Sequence, residues 1–114
     1  MSLNFGWKAH VSMGKNDAIT IAKRYADQVR LAYPVDKAYL FGSYAKNKAD
    51  ESSDIDVCIV STSFGKNYSD EEMNLIRLAV RIDPRISPVP YNPADLEDRW
   101  SQLAFEITNY GISL

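Results

Sequence analysis

One cysteine and one histidine among 114 residues are too few for a disulfide framework within the chain or for a Cys/His zinc site. No apolar run approaches the roughly 20 residues that a membrane-spanning helix needs. Positive charge is not in excess either. Thirteen Lys and Arg against 15 Asp and Glu give a formal net charge of −2, whereas a general grip on nucleic acid needs a basic stripe. No nucleic-acid or membrane partner is therefore expected. Internal repeats, low-complexity tracts and Gly/Ser linkers are also missing, so one uninterrupted domain is expected. Residues 1–14 lack the basic-plus-apolar layout of a signal peptide. They are set apart as an N-terminal segment of uncertain role, with Met13 a candidate native start, and 15–114 form the domain. That length supports a real core but no separate substrate-binding domain, so an acceptor must meet an open edge or a partner. Cys58 sits inside an apolar run and reads as a small buried residue rather than a nucleophile, and the reducing cytoplasm is the expected compartment.

What is present is a succession of helical and extended patterns. Ile19, Ala22, Ala26, Val29 and Tyr33 fall at helical spacing, and Pro34 closes that helix. Lys37 to Phe41 reads as a strand, and Asp54 to Val60 as a second strand covered on both faces. Ser69-x-x-Glu72 has the form of a capping box opening a helix whose apolar face holds Met73, Leu75, Ile76, Leu78, Ala79, Val80 and Ile82. Pro84, Pro88 and Pro90 around Ile86 and Val89 predict an edge strand, because proline cannot donate to a ladder. Asn92-Pro93 reads as N-cap and first helical position. Leu96, Trp100, Leu103, Ile107 and Tyr110 then continue at steps of four and three to Gly111, a helix terminator. The expected fold class is α/β (α+β), a small mixed sheet flanked by helices.

Two short motifs carry chemistry. Gly42-Ser43 lies between the first strand and a short helix-compatible stretch, where a tight turn directs free backbone N–H groups at an anion. Alone, it reads better as an ordinary strand-to-helix turn with Ser43 as N-cap, and its place beside the acid pair Asp54 and Asp56 changes that. It is neither a P-loop nor a dinucleotide fingerprint. Asp54-Ile55-Asp56 opens the second strand, and alternation puts both acids on one face with Cα atoms roughly 6–7 Å apart. Turn chemistry accounts for Asp54. It does not account for Asp56, a carboxylate within an otherwise apolar strand, where burial and a like charge favour the neutral acid unless a cation is bound. Oxygen ligands beside a phosphate cradle favour Mg2+ or Mn2+, and a nucleoside triphosphate is the natural companion.

At these residues the chain resembles the minimal nucleotidyltransferase family of the DNA polymerase β-like superfamily, whose signature is Gly-Ser, ten residues, then Asp-x-Asp. The likeness runs through Val35 to Lys46, Ser53 to Val57 and the ending around Gly111-Ile112, and covers roughly residues 15 to 114. It implies a polymerase β palm-like nucleotidyltransferase fold. It also implies magnesium-dependent transfer of a nucleoside monophosphate, with AMP from ATP expected, to a hydroxyl. Gly42, Ser43 and Lys46 would hold the nucleotide, and Asp54 and Asp56 would be the catalytic metal ligands. Relatives of this size imply a partner, a small helical HEPN-type toxin that is modified and so neutralised; a homo-oligomer is compatible with the same reading. Lys46 and Asn47 stand where members often carry Arg and Gly, a mild change. Ser87 stands where similar sequences often show the third carboxylate that takes the acceptor proton; Asp83 and Asp95 are weak substitutes. That departure motivates an alternative, an antitoxin-like or regulatory subunit that binds nucleotide and partner with little catalysis. Among Tyr39, Tyr44, Phe64, Tyr68 and Tyr91, Tyr44 is the foremost candidate to stack on a base. Arg77, Arg81 and Arg85 are weaker candidates for phosphate contact, and His10 is assigned no role.

Overall fold

The computed structural model describes residues 13–114; the expectations placed on Met1 to Ser12, His10 included, lie outside the described residues. The stripe from Ile19 to Tyr33 forms helix α1 (Lys15–Ala32). It buries Ala18, Ala22, Tyr25, Ala26 and Val29. Three of these are alanines, which let the helix lie close against the sheet. Tyr33 leaves the helix in extended geometry, as the residue before a proline must.

Strand β1 (Lys37–Phe41) pairs antiparallel with β2 (Ile55–Val60). Helix α2 (Tyr68–Ile82) then crosses over to β3 (Ile86–Tyr91), which runs parallel to β2. Helix α3 (Pro93–Leu96), helix α4 (Gln102–Tyr110) and the short strand β4 (Ile112–Ser113) complete the chain. The four strands lie in the order β3-β2-β1-β4, so β3 is an edge strand, as Pro88 and Pro90 predict.

Period-two alternation divides the core in two. On one face Ala38, Leu40, Ile55, Val57, Ile59 and Ile86 pack against α1 and α2 residues such as Tyr25, Val29, Leu75 and Ala79. On the other, Phe41, Cys58 and Val60 pack with Ile107 of α4, flanked by Tyr39, Val89, Tyr91, Leu96 and Leu103. Helices thus cover both faces of β2, the arrangement its apolar composition indicates. Burial pushes the Cys58 thiol up to about 12, with the Asp95 charge adding to the rise; an inert apolar residue fits this environment. Among the described residues no helix is long and apolar enough to cross a membrane.

Three local expectations change. Helix α2 starts earlier than the Ser69-x-x-Glu72 pattern implies, because Asn67 is the N-cap and its side chain accepts from Asp70 N–H at 3.2 Å. The Glu71 carboxylate meanwhile gathers the N–H groups of Gly65, Lys66 and Asn67, a stronger set of partners than a Ser69 box offers. The apolar steps from Leu96 to Tyr110 do not form one helix. Asp98 accepts from Trp100 N–H at 3.0 Å and Ser101 caps α4 through Ala104 N–H at 3.0 Å, so side chains compete with the helical ladder and break it. Trp100 consequently lies 86% exposed. After Gly42-Ser43 the chain forms turns and not a helix.

Candidate active site

Antiparallel pairing sets Phe41 opposite Asp56, so the end of β1 and the start of β2 lie at the same end of the sheet. The turn that follows Phe41 needs glycine for two reasons. Gly42 has φ +76°, a left-handed conformation that a side chain disfavours. A Cβ at that position would also run into the Asp56 carboxylate, its Oδ2 foremost. Asp56 therefore projects into space that only a missing side chain leaves open.

The turn is closed by Lys46 N–H donating to Gly42 O at 3.1 Å and Lys48 N–H donating to Ser43 O at 2.9 Å. Asn47 takes φ 59°, a left-handed conformation that asparagine tolerates better than most residues. Among the described residues the turn's hydrogen bonds do not use the N–H groups of Ser43, Tyr44 or Ala45. Backbone donors of this kind, left over at a tight turn, suit an anion.

Asp54 is exposed and immediately precedes β2, whereas Asp56 is half-buried within it. By alternation Asp56 belongs to the face of the sheet that α4 covers, with Cys58 and Val60. Burial, then the Asp54 charge, then the Glu106 charge from α4, push the Asp56 carboxyl up to about 6. The acid pair therefore carries an electrostatic deficit that a divalent cation would relieve. Two carboxylates beside an anion-seeking turn form a donor set suited to a hard cation with oxygen ligands. Among the described residues no group of three or more His, Cys, Asp or Glu side chains gathers to hold a metal.

Ser87, on β3, lies in parallel register with Asp56. Residues so paired share a face of the sheet, so the position expected to carry a third acid does face the pair, and it holds a hydroxyl. The two weak substitutes are engaged elsewhere. Asp83 binds the Arg85 guanidinium at 2.7 and 3.0 Å, and Asp95 accepts from Asn92 N–H at 2.8 Å. Of the three arginines singled out, Arg85 is held by Asp83 and Arg77 by Asn74 at 3.1 Å.

Lys46 departs from the turn toward α4. Its ammonium pairs with Glu106 Oε1 and lies 5.9 Å from the centre of the Tyr110 ring, within cation–π range. Tyr44, the aromatic favoured from the sequence for base stacking, is only 3% exposed and belongs to the core. Tyr110, placed by its spacing on an apolar stripe, is 52% exposed. Glu106 and Tyr110 are the residues beside the candidate site that the sequence left unmarked. Their one signal is that both lie on the helix preceding Gly111, and only the packing of α4 over the sheet reveals which strand end they face.

The nucleotidyltransferase domain family matches residues 22–105 of the chain, a span that holds the glycine-serine turn, both aspartates and Ser87. The chain belongs to this family, and its general activity is nucleotidyl transfer. Its fold is shared with a Sulfolobus solfataricus protein provisionally assigned as a nucleotidyltransferase, whose crystal structure matches with a TM-score of 0.64 at 20% identity. The match covers 87% of this chain and 80% of that one. No curated protein matches the chain significantly.

Proposed function

We propose that the protein uses Mg2+, or Mn2+ in its place, to transfer AMP from ATP to a hydroxyl on a partner protein, a small helical protein of the HEPN toxin type. The observation that carries this reading is the Asp56 carboxylate, raised toward its neutral form beside Asp54 and seated in the space left by Gly42.

Asp54 and Asp56 would hold the cation. When bound, it neutralises charge on the triphosphate and polarises the α-phosphoryl group. The turn from Gly42 to Ala45 offers backbone N–H groups to the phosphates, and Lys46 supplies an ammonium. In the transfer, the acceptor oxygen bonds to the α-phosphorus as the bond from that phosphorus to the bridging oxygen breaks, and pyrophosphate leaves. The acceptor hydroxyl also loses a proton. Ser87 is a poor base, so that proton passes to solvent or to a base supplied by the acceptor itself.

Incubation of the protein with labelled ATP, Mg2+ and its partner should label the partner, and Asp56→Ala should abolish the label. Labelling that survives Asp56→Ala would falsify the assignment.

Ser87 opposite Asp56 favours a second reading, a subunit that binds nucleotide and neutralises its partner by docking alone. An Asp54→Asn, Asp56→Asn double variant that still neutralises the partner supports docking. A variant that forms the complex yet fails to neutralise supports transfer.

A further inference from the structure

A cavity of about 410 Å3, lined by Ala45, Lys46, Asn47, Lys48 and Tyr110, adjoins the glycine-serine turn. Its volume lies in the range of small-ligand pockets. Two of its walls are lysines whose backbone N–H groups are tied to Gly42 and Ser43. A third is the ring of Tyr110, half open to solvent at the last residue of α4. We infer that this cavity is the nucleoside subsite, with Tyr110 as the platform on which the base of the triphosphate stacks. The inference rests on the transferase reading above and deepens it by naming where the base goes.

The chemistry of the walls sorts the parts of the ligand. Lysines adjoining the turn suit the phosphate tail, while an aromatic face beyond them suits a flat heterocycle and has little to offer a phosphate. The Lys46 ammonium lies over that face, 5.9 Å from the ring centre, and pairs with Glu106. A triphosphate outbids both contacts for the ammonium, because it brings several negative charges to one place. Lys46 then moves toward the phosphates and uncovers the ring. Helix α4 stays in place through its buried Ile107 and Ala104, so the platform persists when Lys46 turns to the phosphates, and occupation of the tail is coupled to access to the ring.

The test is calorimetric titration of the full chain, in Mg2+ buffer, with ATP and separately with tripolyphosphate, which has the tail without the base. Tyr110→Ala should weaken ATP binding roughly tenfold, the scale of one base-aromatic stack, and should not weaken tripolyphosphate binding, since removing the ring only frees the Lys46 ammonium. Tyr110→Phe should bind ATP as the native chain does, which separates loss of the ring from damage to α4. Equal weakening for both ligands, or no weakening for either, overturns the subsite while the transferase reading stands. A native chain that binds neither ligand overturns both.

Discussion

The Asp56 carboxylate occupies the place where a side chain on Gly42 would be. The relation joins the turn after β1 to a residue of the adjacent strand β2: one supplies absence and the other charge. Gly42→Ala should displace the carboxylate and impose a positive φ on alanine, costing on the order of 1–3 kcal/mol. Urea unfolding should show that loss of stability, and a Mn2+ titration should show weaker metal binding than the native chain.

Asp56 also sets a pH dependence in the metal-free protein. Its folded pKa of about 6 stands well above the ordinary value of an aspartate, so as pH rises the folded state holds a proton that the unfolded state has already released. Its contribution to stability is therefore full below about pH 4 and is lost as pH rises through 6. Solvent still reaches the group, which reduces the effect to about 1–2 kcal/mol. With chelator present, Asp56→Asn should be more stable than the native chain at pH 7 and should lose this part of the pH profile; denaturant titrations at pH 4, 6 and 7 measure it. An unchanged profile in the variant would show that another group is responsible.

Ser87→Glu would set a third carboxylate in register with Asp56, on the same face of the sheet. Added like charge should lower stability without metal and raise affinity for Mn2+ several-fold, about 1 kcal/mol. If Ser87 limits the chemistry, labelling of the partner should also speed up. Isothermal titration with Mn2+ and thermal melts with and without chelator test the first two effects.

Away from the site, the buried Tyr25 hydroxyl of α1 donates to Leu75 O of α2 at 2.9 Å. This bond links the two helices that cover the far face of the sheet. Tyr25→Phe keeps the ring and removes the bond, and should cost about 1 kcal/mol in equilibrium unfolding. Because Asp56 faces the opposite side, nucleotide affinity should not change.

The fold class and half of the candidate site were legible in the residues themselves. Strand β1 falls where Lys37 to Phe41 placed it, β3 is the edge that Pro88 and Pro90 required, and Asn92 caps Pro93 as its dipeptide suggested. Each of these rests on a constraint acting within a few residues: alternation, a missing N–H, a side chain reaching its own backbone. Boundaries failed where two local options competed. Asn67 and Ser69 both offer a cap, and the winner depended on Glu71 binding three N–H groups at once. Asp98 and Ser101 likewise broke a helix whose apolar spacing alone would have continued through Trp100.

As candidate site residues, Gly42, Ser43, Asp54 and Asp56 were legible in the sequence alone, because the glycine-serine turn and the acid pair together, ten residues apart, suggest an anion beside a cation. That Gly42 and Asp56 share one volume, that Ser87 faces them, and that Lys46 turns to Glu106 and Tyr110 were decided by tertiary structure. Strand register and the docking of α4 bring together residues from distant parts of the chain. Their spacing in sequence holds no record of that, since packing of the whole sheet sets which of them meet.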